Sequence, residues 1–307
     1  MKAMLRLLPL ALLLLSSLPA ATSQPPVVSL SKPNIVLIMA DDLGFETMGS
    51  YGGTSYNTPN LDRLASNGAR FEHCYAQPIC TPSRVQIMTG QYNVRNYTKF
   101  GLLPRSETTF AHKLKEQGYA TCIAGKWQLG KEKDAPQRFG FDEALLWQHT
   151  RGGRKQIDGK NIDKRYENPI LEKNGEPFEY NNGEFAPDLM VDFIVDFIQR
   201  KKDQPFLVYY PMILTHCPFV PTPHSADWDP TSAGSPTYKG KKEYFGDMVE
   251  YVDHLVGKIE AELERQGLLE NTYLIFTGDN GTDLPIVSQL NGQPFPGRKG
   301  SMTDGGT

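Results

Sequence analysis

Cysteine is scarce in this chain: four residues in 307, at positions 74, 80, 122 and 217. Four cysteines close at most two bridges, so a well-buried core must hold the fold, and 307 residues are ample for one. Neither sign of charge is in excess; the formal net charge is -3. Such a balance gives no general pull toward nucleic acid or an anionic membrane surface. Beyond the N-terminus no apolar run is long enough to cross a bilayer. There is no internal repeat and no low-complexity tract. What remains is an ordinary globular composition with proline and glycine a little high, as suits a loop-rich fold of one large domain, or one and part of another.

The one long apolar run is at the start. Lys2 and Arg6 precede "LLPLALLLLSSLPAATS", and small residues at Ala21 and Ser23 suit cleavage. Residues 1–23 read as a signal peptide and 24–32 as a linker, which places the mature chain outside the cytoplasm (periplasmic, extracellular or lumenal) with no membrane span after cleavage. In an exported protein a cysteine is normally half of a disulfide. Cys80, in "PICTPSRVQIMTG", therefore raises the question of whether it pairs or reacts. The connectivity of Cys74, Cys122 and Cys217 does not follow from sequence. Asn96-Tyr97-Thr98 is a glycosylation sequon, should the host glycosylate.

Apolar runs at Ile35–Met39, in "YATCIAGKW", in "PFLVYYPMIL" and at Tyr273–Thr277 predict buried strands, the first with both faces covered. Between them "TPNLDRLASNG" predicts a helix with Thr58 as N-cap, Pro59 at its first position and Gly68 as its stop. "SRVQIMTG", "TTFAHKLKEQG", "APDLMVDFIVDFIQRKK" and Glu243–Gln266 predict further helices. Residues 131–185 carry Arg151, Arg154, Lys155, Lys160, Lys164 and Arg165 among Gly and Asn and read as a long insertion with little regular structure. Its basic stretch, 151–165, suits either a solvated loop or contact with an anionic polysaccharide. Strands alternating with helices predict an α/β fold with a mostly parallel sheet flanked by helices.

Each predicted strand ends on polar residues: Asp41 and Asp42, Lys126, His216, Asp279 and Asn280. Sites in open α/β sheets lie beyond the carboxyl ends of the strands, so these residues are expected to converge. Asp41, Asp42, Asp279 and Asn280 offer oxygen ligands only, which suits Ca²⁺ or Mg²⁺. Lys126, Arg84 and Lys299 would complete a pocket for sulfate or phosphate. His216 is a candidate general acid. Cys80 precedes a predicted helix, whose N-terminus favours a reactive nucleophile.

"CTPSR" with "VQIMTG" resembles the sulfatase signature Cys/Ser-x-Pro-x-Arg, and "GYATCIAGKWQLG" is similar to that family's second signature. "NIVLIMADDLG", "TPNLDRLASNGARFEHCYA", "RFGFDEAL", "THCPF" and "NTYLIFTGDNG" resemble further blocks in the same order. The resemblance implies a formylglycine-dependent, arylsulfatase-like hydrolase of the alkaline-phosphatase-like fold, with residues 33–307 as its N-terminal catalytic domain. It implies that a formylglycine-generating enzyme converts Cys80; one hydroxyl of the hydrated aldehyde attacks sulfur and displaces the alcohol, and loss of the proton from the second hydroxyl later expels sulfate and restores the aldehyde. It implies a calcium held by Asp41, Asp42, Asp279, Asn280 and the side chain at position 80. Arg84 would hold the formylglycine, Lys126 and Lys299 the sulfate, and His216 would contact the ester and protonate the departing alcohol. The substrate would be a sulfated small molecule or polysaccharide.

Two departures from the family pattern stand out. Gln128, in "GKWQLG", occupies the place of a histidine thought to deprotonate the second hydroxyl, and glutamine cannot accept that proton. The chain also ends at "GRKGSMTDGGT", inside a block that the family continues into more sheet and a smaller C-terminal domain, so that domain is read as missing. Asp304-Gly305-Gly306 stands where the family has Glu-Gly-Gly, and such an ending offers no helix or strand to tie it down. The same scaffold would also suit a phosphate or phosphonate ester hydrolase. Gln128 and the short C-terminus would equally suit an inactive binder of sulfated glycans.

Overall fold

The computed structural model describes residues 32–147, 149–150 and 154–307. The predicted signal peptide, the linker as far as residue 31, and Arg151 of the basic stretch lie outside the described residues. Strand β1 (Asn34–Ala40) opens the chain, followed by helices α1 (Pro59–Asn67), α2 (Cys80–Thr89), α3 (Asn93–Asn96) and α4 (Phe110–Glu116). Strand β2 (Ala120–Gly125) and the single turn α5 (Ala135–Arg138) come next. Five short strands then follow: β3 (Glu143–Trp147), β4 (Arg154–Ile157), β5 (Lys160–Asp163), β6 (Ile170–Lys173) and β7 (Glu176–Glu179). The remainder is α6 (Ala186–Lys201), β8 (Phe206–Pro211), α7 (Phe245–Arg265), β9 (Thr272–Gly278) and the hairpin β10 (Val287–Leu290) with β11 (Gln293–Pro296).

Seven strands form one sheet in the order β7-β6-β3-β2-β8-β1-β9. The five from β3 to β9 run parallel, and β6 and β7 add antiparallel pairings at one edge. Period-two alternation gives the sheet two covered faces. Val36, Ile38, Val208 and Tyr210 pack with Met190, Ile194 and Phe197 of α6 and Val249, Val252 and Val256 of α7. Met39, Ile123, Leu207 and Tyr209 pack on the other face with Val85 and Met88 of α2, Ala111 of α4, and Phe139 and Phe141. Each such side chain fully removed from water contributes about 1.5–3 kcal/mol. Cover of β1 is less complete than the sequence suggests: Ile35 and Leu37 are only half-buried. No helix among the described residues is long and apolar enough to cross a membrane.

The predicted helices form, with details that differ. Pro59 sits at the first position of α1 as expected, but Thr58 does not cap that helix; its hydroxyl accepts from Gly49 N–H at 3.0 Å. The capping box belongs instead to Thr109 of α4, paired with His112.

Two expectations are corrected. The run Tyr273–Thr277 is not a buried strand: β9 lies at the sheet edge, and Tyr273 and Ile275 are 64% and 44% exposed. Residues 131–185 are not an irregular insertion: β3, β6 and β7 extend the main sheet, and β4 pairs with β5. These strands have four or five residues each, too short to show a period against their Gly and Asn neighbours. The sequon residue Asn96 is buried, with Nδ2 donating to Thr89 Oγ1 at 3.0 Å and Glu107 Oε2 at 3.1 Å, so it is closed to a glycan in the folded chain. As expected, no helix or strand ties down the end of the chain; backbone bonds hold it instead. Gly281 N–H donates to Gly306 O at 3.0 Å and Arg298 N–H to Gly305 O at 2.8 Å. A Cβ on Gly281 would lie 2.1 Å from Gly305 O, so that approach requires glycine.

Candidate active site

Four neighbouring parallel strands, β2, β8, β1 and β9, deliver their C-terminal residues to one place. Asp41 and Asp42 follow β1, Lys126 follows β2, Asp279 and Asn280 follow β9, and His216 lies five residues past β8. The strand ends are pinned together: Asp41 N–H donates to Leu214 O at 2.8 Å and Lys126 N–H to Pro211 O at 2.7 Å. The second contact depends on Gly125, where a Cβ would meet Pro211 O at 1.9 Å. Asp42 has a positive φ of 61°, a conformation that costs a non-glycine residue energy and clusters at functional sites.

Cys80 is the first residue of α2 and points at the same place. Its Sγ lies 3.4 Å from Asp41 Oδ1 and 3.7 Å from Asp42 Oδ1. One donor atom each from Asp41, Asp42, Cys80 and Asp279 fall within 4.8 Å of one another, and all four residues are buried. The whole run Cys80–Arg84 is buried with them. The four cysteines are free thiols, so Cys80 is not in a disulfide.

Cations surround the carboxylates. Lys126 Nζ donates to Asp41 at 2.7 and 2.9 Å, and Lys299 Nζ to Asp42 Oδ2 at 2.5 Å. Arg84 pairs with Asp279 Oδ2 at 2.7 Å and donates to Lys126 O at 3.0 Å. Asn280 Nδ2 donates to Asp42 Oδ1 at 2.9 Å, while its Oδ1 is buried without a partner. His216 Nε2 lies 3.7 Å from Asp42 Oδ2.

These contacts set the charge states. Burial alone would raise Asp41, but Lys126 beside it, with His216, Arg84 and Lys299, holds it well below the usual carboxylate range. Asp279 moves the other way, because burial and the Asp41 carboxylate outweigh Arg84. Burial also works against the charge on Lys299, yet Asp42 raises its pKa. Burial and the Asp279 carboxylate push the Cys80 thiol well above its usual range, so as a thiol it is a poor nucleophile. Burial and the Arg165 charge lower His216 to about 3, which keeps the ring neutral at physiological pH.

The set fits a hard divalent cation. Three carboxylates this close repel one another unless neutralised, and the unpartnered Asn280 Oδ1 supplies a further oxygen ligand. Asp41, Asp42, Cys80, Arg84, Lys126, His216, Asp279, Asn280 and Lys299 are all brought together. Gln128 is not bonded to them. It has a φ of 53°, is half-buried, and its Oε1 has no hydrogen-bond partner.

Sequence reasoning missed Arg165 as a site residue. It lies in the basic stretch read as a loop, but it is buried against His216, donating through Nη1 to Cys217 O at 2.7 Å and contacting His216 Nδ1. Lys164 beside it is also buried, and its Nζ reaches Glu179 and Asn181, both at 3.2 Å. Nothing in a run of Arg and Lys among Gly and Asn separates the buried members from the solvated ones.

A family model for sulfatases matches residues 33–307. The chain is 33% identical to N-acetylgalactosamine-6-sulfatase of Rattus norvegicus, over 88% of this chain and 54% of that protein. It is 30% identical to arylsulfatase D of Homo sapiens, over 92% of this chain and 60% of that protein. Among solved structures, Ps i-CgsB in complex with k-i-k-neocarrahexaose matches with a TM-score of 0.73 and 30% identity, covering 90% of this chain and 64% of that one. The chain thus spans a little over half the length of these two curated relatives.

Proposed function

This chain belongs to the sulfatase family, and from that premise we propose that it hydrolyses sulfate esters at the cluster around Cys80. The observation that carries the reading is the convergence of Cys80, Asp41, Asp42 and Asp279 within 4.8 Å, flanked by Lys126 and Lys299. Cys80 is the site of conversion to formylglycine by a generating enzyme that reads Cys80-Thr81-Pro82-Ser83-Arg84. Conversion replaces a buried, poorly nucleophilic thiol with a hydrated aldehyde whose oxygen attacks. Asp41, Asp42, Asp279, Asn280 and the side chain at position 80 would hold Ca²⁺, with Mg²⁺ as the alternative. Such a cation lowers the pKa of an attacking hydroxyl and neutralises sulfate charge.

The chain's own residues do the rest. A cation on the carboxylates would loosen their hold on Lys126 and Lys299, leaving two ammonium groups for sulfate oxygens. Arg84 fixes Asp279 and the start of the loop after β2 through its bonds to Asp279 Oδ2 and Lys126 O. His216 places Nε2 on the Asp42 side; because burial and Arg165 keep its ring neutral in the free chain, it would hand a proton to a departing alcohol only if substrate binding first raised its affinity for that proton. The apolar stretch at residues 1–23 supports export, and the sugars named for the relatives support a sulfated carbohydrate as substrate.

The test combines two readouts. Mass spectrometry across Cys80 in protein from its native host should show a peptide about 18 Da lighter than the thiol form. That protein should release sulfate from 4-nitrophenyl sulfate faster than phosphate from 4-nitrophenyl phosphate, and lose activity to a chelator. An unmodified thiol, or a clear preference for the phosphate ester, would sink the proposal.

A further inference from the structure

Arg165 is a buried cation that the proposed reaction does not use. It is 6% exposed. Its guanidinium lies 4.1 Å from the centroid of the Trp147 ring. Nη1 is occupied by Cys217 O and His216 Nδ1, while Nε is buried with no hydrogen-bond partner. Nη2 makes no hydrogen bond among the described residues, and none of their carboxylates forms an ion pair with the guanidinium. Asp163 is nearby, but its Oδ1 accepts the Arg165 backbone N–H, at 3.0 Å.

The other cations of the site differ. Lys126, Arg84 and Lys299 each face a carboxylate within 2.7 Å. A guanidinium is always charged; burial works against that charge on Arg165, and Tyr166, Asp163 and Asp41 support it from nearby, while its Nε is left without a hydrogen bond. Arg165 is also fixed in place, by Trp147 on its face and by Cys217 O and His216 at one edge. A fixed, planar, incompletely bonded fork of donors is the form that recognises a carboxylate or sulfate.

Position decides which anion. Asp42 lies on the Nε2 side of the His216 ring and Arg165 on the Nδ1 side. The imidazole stands between Arg165 and the carboxylate cluster. A sulfate seated among Lys126, Lys299 and the cluster is therefore a different group from one bonded to Arg165.

We infer that Arg165 recognises a second anionic group, a sulfate or carboxylate on the same carbohydrate, next to the ester that is cleaved. This rests on the sulfatase reading and adds a preference for substrates bearing two negative groups over those bearing one. Trp147 acts with it as a positioning residue, holding the plane of the guanidinium.

The test is binding, read by titration calorimetry in calcium buffer, with N-acetylgalactosamine 6-sulfate and N-acetylgalactosamine 4,6-disulfate as probes. The wild-type chain should bind the disulfate roughly 10- to 100-fold more tightly, the range of one charge-assisted contact to a fixed guanidinium. In Arg165→Gln the ratio of the two affinities should fall toward one, and Arg165→Lys should give an intermediate ratio. A purely structural role would weaken both probes alike and leave the ratio intact. Should Arg165→Gln fail to fold, Arg165→Lys and Trp147→Leu carry the same comparison. No preference in the wild type, or a preference kept in the variants, overturns the inference. Release of sulfate from 4-nitrophenyl sulfate by the matured wild type is measured alongside. Its absence would sink the parent reading, whereas release without anion preference would sink only the role of Arg165.

Discussion

Lys126 Nζ lies 2.7 Å from Asp41 Oδ2, and both side chains are buried. Each is the other's main compensation for burial. Removing one partner of such a pair leaves an uncompensated charge and typically costs about 3–5 kcal/mol. Lys126→Met should therefore lower the melting temperature of the chelated protein strongly. Calcium should restore much of that loss, because the cation takes over the neutralisation of Asp41, and a ligand bound only to the folded state stabilises it. Melts with calcium and with EDTA check this; a variant as stable as wild type in EDTA would count against the pairing.

By the resemblance to the second sulfatase signature, Gln128 takes the place of a histidine expected to act as a base, and its Oε1 meets no partner. If the final release of sulfate is slow for want of a base, wild-type enzyme should show a burst of 4-nitrophenol followed by a slower steady rate. Gln128→His should raise the steady rate, by up to roughly 100-fold or more, since general-base help is commonly worth about 100- to 10,000-fold. Stopped-flow kinetics decide. An unchanged steady rate would place the base elsewhere.

Burial raises Glu167 from 4.5 to about 7, and its Oε2 has no hydrogen-bond partner. A carboxyl with a raised folded-state pKa binds its proton more tightly in the native chain. Its stabilising contribution is present below about 4.5 and is lost as pH rises to about 7, a change on the order of 3 kcal/mol. Glu167→Gln should remove this slope. Denaturant titrations at pH 5 and pH 8 should show the variant gaining relative to wild type at the higher pH. Parallel profiles would show that Glu167 is ionised and accommodated.

Strand β9 pairs only with β1 among the described strands. Its outer edge offers unpaired backbone groups, and Tyr273 and Ile275 are 64% and 44% exposed beside it. Such an edge templates association. Light scattering of the isolated chain should rise with concentration, and Ile275→Lys should suppress the rise. Equal scattering from both proteins would clear this edge.

The sequence reveals the site better than the sheet. Asp41, Asp42, Lys126, Asp279 and Asn280 are legible because each ends an apolar run, and parallel strands aim such endings at one place. Strands β3, β6 and β7 are not legible, because four or five residues cannot establish a period. Their edge position is decided by pairing with β2 and with one another. Arg165 is hidden for a different reason: its burial comes from Trp147 and the turn at Cys217, both distant in sequence. Gln128 shows the limit in the other direction. Its type is informative from sequence alone, yet its side chain forms no bond to the cluster that its neighbour Lys126 joins.

The burial of Cys80–Arg84 in α2 bears on timing. An enzyme that reads this run by its side chains cannot reach it once α2 has packed. The last groups of the cluster, Asp279, Asn280 and Lys299, are also made late, about 200 residues after Cys80 by the numbering. If the run is exported and converted as proposed, synthesis leaves an interval in which it is extended and readable, and folding closes it. Purified generating enzyme should modify the denatured or nascent chain and leave the native chain untouched; equal modification of both would mean that α2 opens in the folded protein. On the proposed conversion of Cys80, maturation would be a race between a modifying enzyme and a closing fold, and slowing the fold should raise the modified fraction.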